Sequence, residues 1–156
     1  MDQQDFMRRA IALADQNVAN GTGGPFGSVV VRDGKIIGEG ANIVTGSHDP
    51  TAHAEIVAIR EACRTLGSHS LAGCEIYASC EPCPMCLSAI YWARIDRAWF
   101  GNTAADAADI GFDDAFLYRE LAVPMADRSL PIEQILHGEA IASFEAWRVS
   151  AIKVPY

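Results

Sequence analysis

The chain has 156 residues, with 20 Asp plus Glu against 12 Lys plus Arg and a formal net charge of −8. That length suits one domain whose core is large enough to fold without cross-links, and the hydrophobic half of its composition excludes a disordered chain. The negative balance has the wrong sign for tracking a phosphate backbone, so a nucleic-acid partner is disfavoured. The opening stretch "MDQQDFMRRAIALADQ" is amphipathic and broken by polar residues, unlike a secretory leader. No apolar run approaches the roughly 18 residues a membrane span requires. A cytoplasmic protein with its five cysteines reduced is therefore expected.

The first helix is predicted from about Asp5 to Val18, with Phe6, Ala10, Leu13, Ala14 and Val18 on one face and Gly21 past its end. "FGSVVVRDGKIIGEGANIV" reads as two strands turned at Asp33-Gly34, a pair that tolerates positive φ. In "DPTAHAEIVAIREACRTLG" a second helix places Ala52, Ile56, Ile59, Cys63 and Leu66 on one stripe, with Thr51 as cap and Gly67 as stop. "CEIYASC" is a strand, "CPMCLSAIYWARI" a helix and "RAWFGN" a strand. Between Ala104 and Glu139, "AFLYREL" reads as helix and "LPIEQILHG" as ambiguous; "SFEAWRVSAI" closes the chain as a short helix. With no internal repeat or linker, the elements form one domain, 1–156. Helices alternating with strands after an opening hairpin give an α/β class with a mixed sheet covered on both faces.

The chemistry concentrates in "SCEPCPMCLSAIYWAR", residues 79–94. Cys83 and Cys86 stand three apart at a helix start, so both sulfurs reach one point beyond the helix end. Pro82 and Pro84 suit a first turn, where missing N–H groups cost little. The positive end of the helix favours thiolates, and two thiolates call for a cation. Half a metal site is thereby in place. "TAHAE" supplies His53 and Glu55 at the start of the second helix. Three protein donors to zinc leave a fourth position for water, which marks a catalytic rather than a structural site. Glu55, two residues from a ligand, is placed to carry the water's proton.

His-x-Glu followed by Pro-Cys-x-x-Cys is the signature of zinc nucleobase deaminases. On these residues the chain resembles the cytidine-deaminase-like superfamily. The blocks "GGPFGSVVV", "DPTAHAEIVAIR", "SCEPCPMCLSAIYWAR", "GFDDAFLYRE" and "FEAWR" and the final Tyr156 resemble its bacterial guanine deaminase branch. The resemblance implies a three-layer α/β/α sandwich, one Zn2+ per chain held by His53, Cys83 and Cys86, and hydrolysis of guanine to xanthine and ammonia in purine catabolism. It also implies a homodimer that exchanges its C-terminal segments, about 140–156. Asn42 and Asp114 would then hold the purine, Tyr156 would belong to a lid, Phe26 and Trp92 would wall the base, and Glu81 would lie near the metal.

Several residues carry a second reading. Cys63 and Cys74 fit core thiols, and Cys80 offers an alternative Cys-x-x-Cys with Cys83 that a catalytic site would not use. His48, His69 and His137 fit loop or surface positions. Phe26 and Trp92 also read as core aromatics, Glu81 as a solvated turn residue, and Asp113 exchanges roles with Asp114 on a one-residue shift. Three rival functions use the same residues: deamination of guanosine, cytosine or a triazine; deamination of adenosine in tRNA; and a non-catalytic zinc module that has no use for Glu55.

Overall fold

A computed structural model describes residues 1–156. They fall into two compact units, 1–114 and 115–156.

The first unit opens with α1 (Gln3–Asn20), which starts in a reciprocal cap between Asp2 and Asp5 and ends at Gly21 in the left-handed region, φ 62°. The hairpin β1 (Gly27–Arg32) and β2 (Lys35–Ala41) follows, and Asp33 and Gly34 both take positive φ, 50° and 72°. A short α2 (Val44–Ser47), not anticipated, precedes α3 (Ala54–Leu66), β3 (Cys74–Cys80), α4 (Pro84–Trp92), β4 (Arg97–Asn102) and α5 (Ala104–Asp109), the last also unanticipated. The strand order is β2-β1-β3-β4. β1 is antiparallel to β2 and to β3, while β3 and β4 are parallel, so the sheet is mixed as expected.

Alternation along the strands builds two cores. Val29, Val31 and Tyr77 face Phe6 of α1, and Val30, Cys74 and Ile76 face Ala58 and Ala62 of α3 and Ile90 of α4. Helices on both faces make the three layers. Two expected stripes need correction. Val18 is 57% exposed, and Asn17 takes its place among the buried residues of α1. At about 100° per residue, position 17 returns to within about 20° of Phe6, whereas position 18 lies about 120° away.

In α3 the buried residues are Ala54, Glu55, Ala58 and Ala62, with Ile59, Cys63 and Leu66 flanking the core. The cause is close approach to β2. A Cβ at Gly40 would stand 2.2 Å from the Ala54 carbonyl oxygen, and one at Gly38 would stand 2.5 Å from that of Ala58. Glycine on the strand and alanine on the helix bring the two backbones together, which leaves the larger side chains to the margins. His53, not Thr51, is the N-cap of α3; Thr51 instead bonds through its N–H and hydroxyl to Asp49.

The second unit contains α6 (Ala115–Ala122), a 3₁₀ turn (Met125–Asp127) and α7 (His137–Val149), which is longer than the closing helix expected. Glu120 organises it: its carbonyl accepts from Arg128 Nε at 3.1 Å and its carboxylate from the Ser129 N–H at 2.9 Å. No residue of this unit is buried.

Candidate metal centre and cavity

β3 runs straight into the segment that begins α4, and His53 and Cys83 are the N-caps of α3 and α4. Neither side chain caps its own helix, so both are released toward a common point. His53 Nδ1 lies 3.6 Å from Cys83 Sγ and 3.5 Å from Cys86 Sγ. All three donor atoms lie within 4.8 Å of one another. In tetrahedral zinc coordination, with bonds of about 2.3 Å to sulfur and 2.05 Å to nitrogen, adjacent nitrogen and sulfur donors stand about 3.6 Å apart. The cluster therefore fits zinc both in spacing and in the softness of its donors. It consists of these three residues, leaving one tetrahedral position for a fourth, non-protein ligand.

The electrostatics of the cluster also call for a cation. The Cys83 thiol is held down to about 4, first by its hydrogen bond with Cys86 and next by His53. The Cys86 thiol is pushed up by the same bond and by burial. His53 is raised, chiefly by its bond to Cys83. The two sulfurs are thus pushed in opposite directions by the bond they share, and a divalent ion between them would favour the ionised form of both. Glu55, in the first turn of α3, is 8% exposed, and burial raises its carboxyl above the ordinary value. Cys83, Cys86 and His53 all act on its carboxyl, which puts Glu55 within electrostatic reach of the three donors.

Cys80 does not join the donors. Its sulfur lies 3.7 Å from the Thr103 carbonyl oxygen, and burial pushes its thiol up to about 11. Cys63 and Cys74 belong to the core as expected, and His48, His69 and His137 are exposed.

A cavity of about 330 Å³ is lined by Pro25, Phe26, Cys80, Asn102, Asp106 and Ile110, among others. Phe26 is half-buried, its ring edge-on to Phe112 at 5.0 Å and 89°. Phe112 escaped the sequence reading although it sits inside the quoted "GFDD" block. Asn42 is buried, and its Oδ1 accepts from the Val44 N–H at 3.2 Å. Asp114 is raised first by burial and then by Cys83, which puts it within electrostatic reach of the cluster. Glu81 is half-buried rather than a solvated turn residue. Its N–H donates to the Asn102 carbonyl, and its Oε2 accepts from the Ala104 N–H at 2.9 Å, at the start of α5.

Trp92 is not brought to the cluster. It ends α4, nine residues and about 13 Å of helix from Cys83, and it is 64% exposed with the Arg94 guanidinium 5.9 Å from its ring. Tyr156 ends the second unit, 79% exposed.

Residues 1–102 match the family described as the cytidine and deoxycytidylate deaminase zinc-binding region. Guanine deaminase of Bacillus subtilis is 51% identical over 156 residues, the full length of both chains. Its X-ray structure is similar at a TM-score of 0.97, covering 100% of this chain and 99% of that one. A guanine deaminase structure from Nitrosomonas europaea is similar at a TM-score of 0.69 and 32% identity, over 72% of this chain and 65% of that one. A tRNA-specific adenosine deaminase of Aquifex aeolicus is 41% identical over 100 residues, 64% of this chain and 66% of that protein.

Proposed function

Because this chain belongs to the cytidine and deoxycytidylate deaminase zinc-binding family, we propose that it is a zinc-dependent hydrolase that converts guanine to xanthine and ammonia. The observation that carries the substrate is end-to-end similarity to a guanine deaminase, where tRNA-specific adenosine deaminases of Aquifex aeolicus and Haemophilus influenzae are similar over 64% and 77% of the chain. The net charge of −8 also suits a small base better than a polyanion.

The chemistry that zinc supplies when bound is the acidification of water to a nucleophile at neutral pH. The protein does the rest. Glu55 takes the water's proton on a carboxylate that burial has made more basic than usual. As the C2–O bond forms, Glu55 delivers that proton to the adjacent ring nitrogen, N3; it then takes the proton of the hydroxyl now on C2 and passes it to the amino nitrogen, so that C2=O forms as the C2–N bond breaks and ammonia leaves. Asn42 and Asp114 choose the edge of the base. An amide donates and accepts at once, whereas an ionised carboxylate takes only the N–H donors of guanine. Phe26 holds the ring flat, and Glu81 fixes the segment between β3 and the metal ligands through its bonds to Asn102 and Ala104.

A homodimer completes the reading, with residues of about 140–156 exchanged between subunits and Tyr156 helping to close the pocket. Supporting it is the exposure of large apolar side chains in the second unit, among them Phe144 at 71%, Ile152 at 91% and Tyr156 at 79%; unmet apolar surface of this kind marks an interface. Five unpaired cysteines suit the reducing cytoplasm, where purine catabolism would use the enzyme.

Ammonia release from guanine, guanosine, adenine, cytosine, a triazine and an adenosine-bearing tRNA anticodon stem tests the assignment. Guanine should be turned over with the highest kcat/KM. Preference for any other member of the panel would transfer the same chemistry to that substrate.

A further inference from the structure

Of the four buried residues on α1, only Asn17 is polar. Its Nδ2 donates to two backbone carbonyls, Gly24 O at 2.7 Å and Asn42 O at 2.8 Å, while its Oδ1 accepts from the Thr22 hydroxyl at 2.5 Å. The amide orientation follows from this arrangement, because an oxygen facing both carbonyls would meet two acceptors and no donor.

The two carbonyls belong to different loops, one leading to Phe26 and the other carrying Asn42. The loops are also tied directly, since the Asn42 N–H donates to the Phe26 carbonyl at 3.1 Å. Gly23 lets them touch, for a Cβ there would stand 2.0 Å from Asn42 O and 3.0 Å from Asn17 Nδ2. From Asn42 the connection runs on, the Ile43 N–H donating to Ala52 O at 3.1 Å, one residue before His53.

Resting on the guanine reading given above, we propose that Asn17 is a positioning residue for the base: one buried amide on α1, outside the pocket, sets the distance between the Phe26 ring and the Asn42 side chain. Its effect therefore falls on binding of the base. Zinc and the proton carrier hang from α3 and α4, which Asn17 does not touch through its side chain. Losing the amide lets the two loops separate. A misplacement on the ångström scale weakens ground-state and transition-state contacts alike, which raises KM more than it lowers kcat.

Two variants test this in the full-length zinc-loaded protein. Asn17→Asp keeps the shape and removes the paired donors. Thr22→Val, at an exposed position, removes only the hydroxyl that steadies Oδ1. Expected are a KM for guanine raised about tenfold in the first and about threefold in the second, with kcat per zinc-loaded chain within about twofold of wild type. The Kd of xanthine by calorimetry should rise in parallel, with zinc staying at one per chain. Arg9→Ala, which breaks an ion pair between α1 and β2 away from the pocket, serves as a destabilised control whose KM stays at the wild-type value.

Unchanged KM and xanthine Kd in both variants, with any activity loss tracking loss of folded protein, would reduce Asn17 to a structural plug. Should Asn17→Asp not fold, the KM and xanthine Kd of Thr22→Val decide alone. A wild-type protein silent on guanine overturns the proposed function and this inference with it, whereas an active wild type with unmoved variants overturns this inference only.

Discussion

A carboxyl group as buried as that of Glu55, 8% exposed, is costly to keep charged without partners, so its proton affinity is tied to what surrounds it. Replacing it tests the division of labour between metal binding and proton transfer. Glu55→Gln should retain one zinc per chain by elemental analysis and lose turnover by a factor of about 100 to 10,000 or more; a fully active variant would move the proton-carrying role elsewhere. Cys83 and Cys86 were legible in the sequence because residues three apart at a helix start share a face; His53 was legible because His-x-Glu ahead of Pro-Cys-x-x-Cys resembles the zinc deaminase signature. Asn17 and Phe112 were not. Each acts through a contact whose partner lies 7 to 86 residues away along the chain, Gly24 and Asn42 for the one and Phe26 for the other. A signal did exist for Asn17, a polar residue falling on the apolar face with Phe6.

Among the elements, α1 and β2 are joined by a two-pronged ion pair, Arg9 Nε to Glu39 Oε1 at 2.8 Å and Arg9 Nη2 to Oε2 at 2.6 Å. The side chains remain 40% and 33% exposed, so solvent limits the pair to about 1 kcal/mol. Arg9 holds the Glu39 carboxyl below its ordinary 4.5. The contribution is thus complete above about pH 4.5 and vanishes as pH falls through the lowered folded value. The Tm gap between wild type and Arg9→Ala should stay constant from about pH 8 to 5.5 and close as pH falls below about 4.5. Parallel curves over the whole range would show that the pair adds nothing. Strand and helix order could be read from periodicity, and the Asp33-Gly34 turn from its residue pair. The buried stripe of α3 could not, because periodicity ranks by hydrophobicity. Packing against Gly38 and Gly40 selects instead the smallest side chains, Ala54, Ala58 and Ala62.

Over the whole molecule, no helix is long and apolar enough to cross a membrane, and the exposed apolar residues of 115–156 ask for a protein partner. Sedimentation at tens of micromolar should give the mass of a dimer of the 16.8 kDa chain, and a monomer there would remove the exchanged-segment proposal. The second unit was the least legible part, since "LPIEQILHG" carries no clear period: it is irregular up to Leu136, and its last two residues open α7.

One feature of the metal centre reaches beyond catalysis. Its donors come from two helix caps 30 residues apart in sequence, His53 and Cys83, with Cys86 three further on, and zinc held there closes the intervening loop as a clasp would. Ligand that binds the native chain stabilises it by mass action, so above the dissociation constant each decade of free zinc adds about 1.4 kcal/mol. For a chain of this size that is roughly 3–5 °C of melting temperature. Chelation should lower the midpoint accordingly, and a midpoint indifferent to zinc would mean the ion does not bind the folded state. The reaction centre and the fold are then governed by a single variable, the metal's chemical potential: starvation for zinc would shorten the lifetime of the chain as well as silence it.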